Sequence, residues 1–97
     1  MAIIVVTRWK GNQDHAPLVK EGAAILKRHG ALAVRGGRCF SGEYTGQVIV
    51  ATSFADWSTW GRAGQDLSTD AAWQKFQTDV SKVFELQDRS VIVGEEF

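Results

Sequence analysis

The chain has little of several things that would narrow its chemistry. Its 97 residues include one cysteine, Cys39, and one proline, Pro17. A lone cysteine excludes an internal disulfide and makes a reduced, cytoplasmic setting the expectation. One proline with an apolar fraction of 44% excludes a disordered chain or a proline-rich linker. Charge of either sign is not in excess, since 11 Lys and Arg balance 11 Asp and Glu. That balance, without runs of like charge, removes the general pull toward nucleic acid or an anionic membrane. No apolar run approaches the ~18 residues of a membrane span. The start, Met1-Ala2-Ile3, has no basic segment, and Arg8 interrupts the apolar run behind it, so no secretory signal is expected. The two histidines, His15 and His29, lack the spacing of a metal pair and have no carboxylate or cysteine at ligand spacing, so neither a metal nor a cofactor is expected. The glycines from Gly36-Gly37 to Gly42 have neither dinucleotide nor Walker spacing. No motif names a reaction, and whether the protein is an enzyme stays open.

What the chain does have is three apolar strand-like runs without polar alternation: Ile3-Ile4-Val5-Val6, Val48-Ile49-Val50-Ala51 and Val91-Ile92-Val93. A sheet with one wet face alternates apolar and polar residues, whereas a sheet covered on both faces does not. A chain of this length hides only roughly 60–65% of its unfolded surface and covers one sheet face with its own helices. A second copy of the same chain is the expected cover for the other.

Residues 2–10 read as a first strand, with Ile3, Val5, Thr7 and Trp9 on one face and Ile4, Val6, Arg8 and Lys10 on the other. Asp14 is placed to cap a helix that runs to about His29, with Pro17 in its first turn and Gly30 as its stop. Its apolar stripe is Leu18, Val19, Gly22, Ala23, Ile25 and Leu26; the small Gly22 and Ala23 suit a close approach to a sheet. Leu32 to Phe40 and Gln47 to Phe54 form a hairpin around a turn at Ser41–Gly46. Asp56 caps a segment carrying Trp57 and Trp60, and Gly61 and Gly64 predict a loop through Gln65 to Ser68. Thr69 or Asp70 opens a further helix with Ala72, Trp73, Phe76, Val80, Val83 and Phe84 on its stripe, and Ser90 to Phe97 form the last strand. The order β-α-β-β-α-β over residues 1–97 predicts one α+β domain. It is ferredoxin-like, with a four-stranded antiparallel sheet, helices on one face, and an isologous homodimer through the other.

These apolar strands, with the segment Phe54-Ala55-Asp56-Trp57-Ser58-Thr59-Trp60-Gly61, resemble the dimeric α/β-barrel superfamily. Its members include antibiotic-biosynthesis and haem-degrading monooxygenases and EthD-like and NIPSNAP-like proteins. The resemblance spans the chain at the level of element order. It implies a ligand site between sheet and helices near the barrel mouth.

Four residues are candidates for that site. Trp57 and Trp60 would wall an aromatic pocket for a flat ligand, or else serve core or dimer packing. His15, in the loop before the first helix, is either an exposed loop histidine or a base or ligand contact at the mouth. Arg8, like Arg35, interrupts an apolar strand; each needs a partner, which Glu95 or Glu96 would supply, or else anchors an anion. Haem-degrading members of the superfamily carry a helix-borne axial histidine, and residues 56–87 contain none, leaving only His15 or His29; His29 is placed to cap its helix. Cys39 reads as a small buried hydrophobe. RNA binding on the sheet needs exposed aromatics on a basic face, and these strands carry Val and Ile instead. The expected function is therefore binding of an apolar or aromatic small molecule, with a cofactor-independent monooxygenase as the enzymatic form. A non-catalytic sensing, carrier or scaffolding dimer is the alternative.

Overall fold

The computed structural model describes residues 1–96. Its elements are β1 (Ala2–Lys10), α1 (Ala16–Arg28), β2 (Ala33–Arg38), β3 (Val48–Phe54), α2 (Trp57–Leu67), α3 (Ala71–Ser81) and β4 (Glu85–Gly94). The four strands form one antiparallel sheet in the order β2-β3-β1-β4. This is the predicted ferredoxin-like α+β arrangement, with its second helical segment divided into α2 and α3.

The alternation within β1 and β3 decides what the helices cover. Ile3 (0% exposed), Val5, Val48 and Phe54 are buried beneath them. The register pairs Val6 with Ala51 and Arg8 with Ile49 on the opposite face, which no element of this chain covers. The thinnest dimension, 18 Å between Cα atoms, is that of one sheet and one helical layer. All three helices therefore lie on one side, as right-handed crossovers require.

The core is two clusters rather than one. Ile3, Val5, Ala31, Phe54 and Ala63 form the first, with Leu26, Val34 and Trp60 against it. Val48, Val80 and Phe84 form the second, with Trp9, Leu18, Val50, Phe76 and Val83 around it. β1, β3 and α1 contribute to both, whereas α2 serves the first and α3 the second.

Helix ends follow backbone chemistry closely. Gly30 has φ +99°, and the N–H groups of Gly30 and Ala31 return to the carbonyls of Lys27 and Leu26, closing α1 with a Schellman turn. Asp56 accepts from the Thr59 N–H (2.7 Å) and Asp70 from the Trp73 N–H (3.0 Å), capping α2 and α3. The expected Asp14 cap is corrected: His15 holds the N-cap position without a side-chain bond, and Asp14 accepts only from the Ala16 N–H.

Three other expectations are revised. α2 continues through Gly64 to Leu67, because Ala63 (1% exposed) and Leu67 (8%) are buried. That burial outweighs the roughly 1 kcal/mol that each glycine costs a helix. α3 ends at Ser81, so Val83 and Phe84 pack from the turn that follows it. β4 begins at Glu85, five residues before the expected Ser90, and ends at Gly94; Phe97 lies outside the described residues. Its polar first half has no strand-like hydrophobic pattern, but an edge strand needs none when β1 offers it a backbone ladder. A bulge opposite Arg8 and Trp9 shifts the register there.

Two glycines set the close approaches. A Cβ on Gly22 would sit 2.7 Å from the Phe76 ring, and one on Gly36 3.1 Å from Val19. Gly22 thus seats α3 against α1, while Gly36 is the residue that brings α1 down on the sheet. Gly11 is tighter still, with the Val83 carbonyl and the Phe84 ring both 2.5 Å from a would-be Cβ. Backbone cannot yield as a side-chain tip does. Gly11→Ala is expected to destabilise the fold by roughly 2–3 kcal/mol and to lower the melting temperature by about 10 °C or more, read by circular dichroism; an unchanged melting curve would refute this contact.

Candidate functional site

Between the sheet and the helices lies a cavity of about 820 Å³. Its helix side includes positions that carry little or no side chain, Gly22 and Ala23 on α1 and Ala63 and Gly64 on α2. The two core clusters fill the space at either end of these small residues and leave the middle open. Phe54, Trp60, Trp73 and Phe76 are among its aromatic walls. Its floor is the helix-facing side of β1 and β3, namely Val5, Thr7 and Trp9 with Val48, Val50 and Thr52. The polar lining consists of Thr7, Thr52, His15, Gln77, Ser68 and Ser81, with Glu85 and Arg89 toward β4. A large apolar pocket with few polar groups is the usual form of a small-molecule site.

Of the four candidates from the sequence, Trp60 and His15 line this cavity and Trp57 and Arg8 do not. Trp57 packs on Trp60 from outside, with ring centroids 5.6 Å apart and planes tilted by 56°, and remains 47% exposed. Arg8 points to the uncovered face of the sheet. There it donates to Gln47 Oε1 (2.6 Å) and lies 3.8 Å from the centroid of the Tyr44 ring. A hydrogen bond and a cation–π contact thus replace the carboxylate partner expected from Glu95 or Glu96, and neither Arg8 nor Arg35 forms an ion pair among the described residues. Trp9 and Trp73 line the cavity though the sequence did not single them out; the signal was present in Trp9 sharing the Ile3-Val5-Thr7 face and Trp73 the Phe76 stripe.

Arg38 is the other residue that sequence reasoning missed. Its guanidinium donates to three backbone carbonyls, those of Gly11 (2.9 Å), Gln13 (2.7 Å) and Gly46 (2.7 Å). It ties the loop that carries His15 to the hairpin between β2 and β3. Nothing in local sequence announces a contact between such distant segments. Cys39 contributes only a weak bond from its thiol to the Ser41 carbonyl.

His29 is withheld from the cavity. Its Nε2 lies 2.7 Å from Asp70 Oδ2, and because a carboxylate only accepts, the imidazole donates. Among the described residues no three His, Cys, Asp or Glu side chains gather as a metal centre would need, and no helix is long and apolar enough to cross a membrane.

The same architecture occurs in solved structures of other proteins. A NIPSNAP domain protein from Burkholderia xenovorans superposes with a TM-score of 0.75 at 21% identity, over 98% of this chain and 96% of that one. SnoaB, a cofactor-independent oxygenase from Streptomyces nogalater, gives 0.70 at 12% identity over 99% and 95%. A dimeric ferredoxin-like protein from an uncultured marine organism gives 0.69 at 13% identity over 98% of each chain. At these identities the likeness is one of fold: this chain has the ferredoxin-like fold shared by NIPSNAP and SnoaB-type proteins. Neither a family model nor a curated protein matches the sequence.

The cavity's helical walls are joined by Asp70, which caps α3 while accepting from His29 at the end of α1. The His29 hydrogen bond and then the Trp73 N–H hold its carboxyl below the ordinary value of 3.8. Folding lowers this pKa, so the unfolded chain takes up the proton first as pH falls. The stabilisation is complete above the ordinary carboxylate range and is lost below it, as pH passes through the folded value. Melting temperature is expected to drop as pH falls through and below the ordinary carboxylate range, and Asp70→Asn to flatten part of that drop while lowering the plateau above it. Identical pH profiles for the two proteins would remove Asp70 from this role.

Proposed function

We propose that this protein is a homodimer that binds a flat apolar or aromatic small molecule in the cavity between sheet and helices. The observation that carries the reading is the cavity itself: about 820 Å³, walled by Trp60, Trp73 and Phe76, with the charged groups Glu85 and Arg89 at its β4 side. The cavity opens to solvent on one side, which gives a ligand a way in, and apolar walls with a few fixed polar groups are what such a ligand requires.

Two features support the dimer. The accessible surface is 6382 Å², whereas a folded monomer of 10.7 kDa exposes roughly 5500 Å². The excess is close to the roughly 800 Å² that each partner hides in a standard interface. The uncovered sheet face carries Ile4, Val6, Ile49, Ala51 and Ile92, the residues that made the strands read as buried on both sides. Arg8, Tyr44 and Gln47 lie on this face and belong, in this reading, to the interface and not to the ligand. The lone Cys39 fits a reduced cytoplasmic setting.

For the chemistry, the fold shared with SnoaB favours cofactor-independent oxygenation. In that reaction the cavity would hold an electron-rich substrate and O₂, and the protein would orient the substrate and exclude water. A second reading, a non-catalytic carrier or sensor, is favoured by one observation. The shifted carboxylates Asp56, Asp70 and Asp79 are occupied as helix caps or surface ion pairs and none lines the cavity, whereas catalytic acids and bases usually show such shifts. Oxygen consumption on adding the bound molecule separates the two.

Native mass spectrometry of the purified protein is expected to give a dimer carrying extra non-covalent mass; a bare monomer would overturn the reading. Val6→Asp is expected to yield folded monomers by light scattering, and persistence of the dimer would move the interface elsewhere. Trp60→Ala is expected to weaken ligand binding roughly tenfold with the dimer intact; loss of folding would return Trp60 to the core.

A further inference from the structure

The most informative polar group in the cavity is the hydroxyl of Thr52. Thr52 is 7% exposed and, among the described residues, the one buried polar residue. Its side chain makes no hydrogen bond to any described residue, although no fully enclosed side-chain nitrogen or oxygen lacks a partner. The hydroxyl therefore opens onto the cavity that Thr52 lines. Valine would fill the same volume at the centre of β3 without placing an unpaired hydroxyl there.

Thr7 is its neighbour. The register sets Val5 opposite Thr52 and Thr7 opposite Val50, so the two threonines are diagonal partners on adjacent strands of the cavity floor. Thr7 Oγ1 accepts from the Trp9 indole N–H at 2.8 Å. With that lone pair engaged, the Thr7 hydroxyl proton is free to point elsewhere. The floor thus presents two O–H donors, on neighbouring strands, in a setting of Val5, Val48 and Val50.

We infer that Thr52 and Thr7 form a polar subsite for one oxygen acceptor, so that the ligand is a flat aromatic molecule bearing a carbonyl or ionised phenolic oxygen. Such an oxygen has two lone pairs and accepts from both hydroxyls, whereas an amine or a plain hydrocarbon leaves at least one donor unused. The inference rests on the cavity being the binding site and adds the class of molecule it takes. The Trp9 indole, by donating to Thr7 Oγ1, limits the directions in which that hydroxyl can donate.

The test uses two fluorescent probes on the full chain: a propionyl-(dimethylamino)naphthalene dye, and the same dimethylaminonaphthalene without its propionyl group. Emission of the first moves to the red when its carbonyl accepts a hydrogen bond. The wild-type protein is expected to prefer the propionyl dye by roughly three- to tenfold, the worth of a neutral hydrogen bond. Thr52→Val is expected to bring the two affinities level and to shift the bound dye's emission to the blue, and Thr52→Ser to restore both. A preference that survives Thr52→Val, or equal wild-type affinity for the two probes, overturns the subsite and leaves the cavity as a binding site. Binding of neither probe removes the binding reading and the subsite together. The wild-type emission is read without any variant, so a bound dye that emits as it does in hydrocarbon overturns the inference even if Thr52→Val fails to fold.

Discussion

The placement of the helices on one side of the sheet, through small residues at their facing positions, is the constraint on which the rest depends. Gly36 brings Val19 of α1 onto β2, and Gly22 admits the Phe76 ring of α3. With α1 fixed between its two neighbours, α2 closes over Ile3 and Phe54 while α3 closes over Val48 and Phe84. Each closure is an ordinary piece of core, in which apolar area leaves water and dispersion contacts replace it. Between them Ala23, Ala63 and Gly64 supply no bulk, so the cavity is a direct result of how the core is divided.

That division also explains the assignment of polar groups. Two carboxylates whose pKa folding lowers, Asp56 and Asp70, satisfy the first turns of α2 and α3, where unpaired N–H groups favour negative charge. The guanidinium of Arg38 meets three carbonyls of crossing loops, and that of Arg8 rests on Tyr44. Charged groups are thus employed in holding ends and loops together, and the cavity floor is left to neutral hydroxyls. A site so built recognises shape and one or two polar atoms, and reactivity in it would come from the bound molecule more than from the protein.

The open sheet face imposes a second demand. Apolar residues in β1 and β3 are already buried on the helix side, and their neighbours Ile4, Val6 and Ile49 look outward. β4 is exposed along nearly its whole length, with Val91, Ile92 and Val93 at 39%, 48% and 46%. An exposed edge strand that ends in an apolar run such as Val91-Ile92-Val93 is a liability for an isolated chain, which gives the proposed self-association its physical motive.

Much of the fold was legible in local patterns, and the places where reading failed have particular causes. β1, α1 and β3 were legible because their apolar periodicities are strong, and the Gly30 stop and the Asp56 and Asp70 caps because end chemistry is local. β4 was read short because its polar half becomes a strand only by pairing with β1, a contact distant in sequence. α2 was read short because burial of Ala63 and Leu67 overrode the glycines. Trp60 and His15 were found from their positions in the chain, whereas Arg8 was placed with them although the alternation of β1 sends it to the other face. By itself the sequence determined the element order, the two-faced apolar strands and the supply of aromatic residues. Only the tertiary structure decided which aromatics meet, where the cavity opens, and that Thr7 and Thr52 share its floor as diagonal neighbours, because those facts depend on register and crossing geometry between strands distant in sequence.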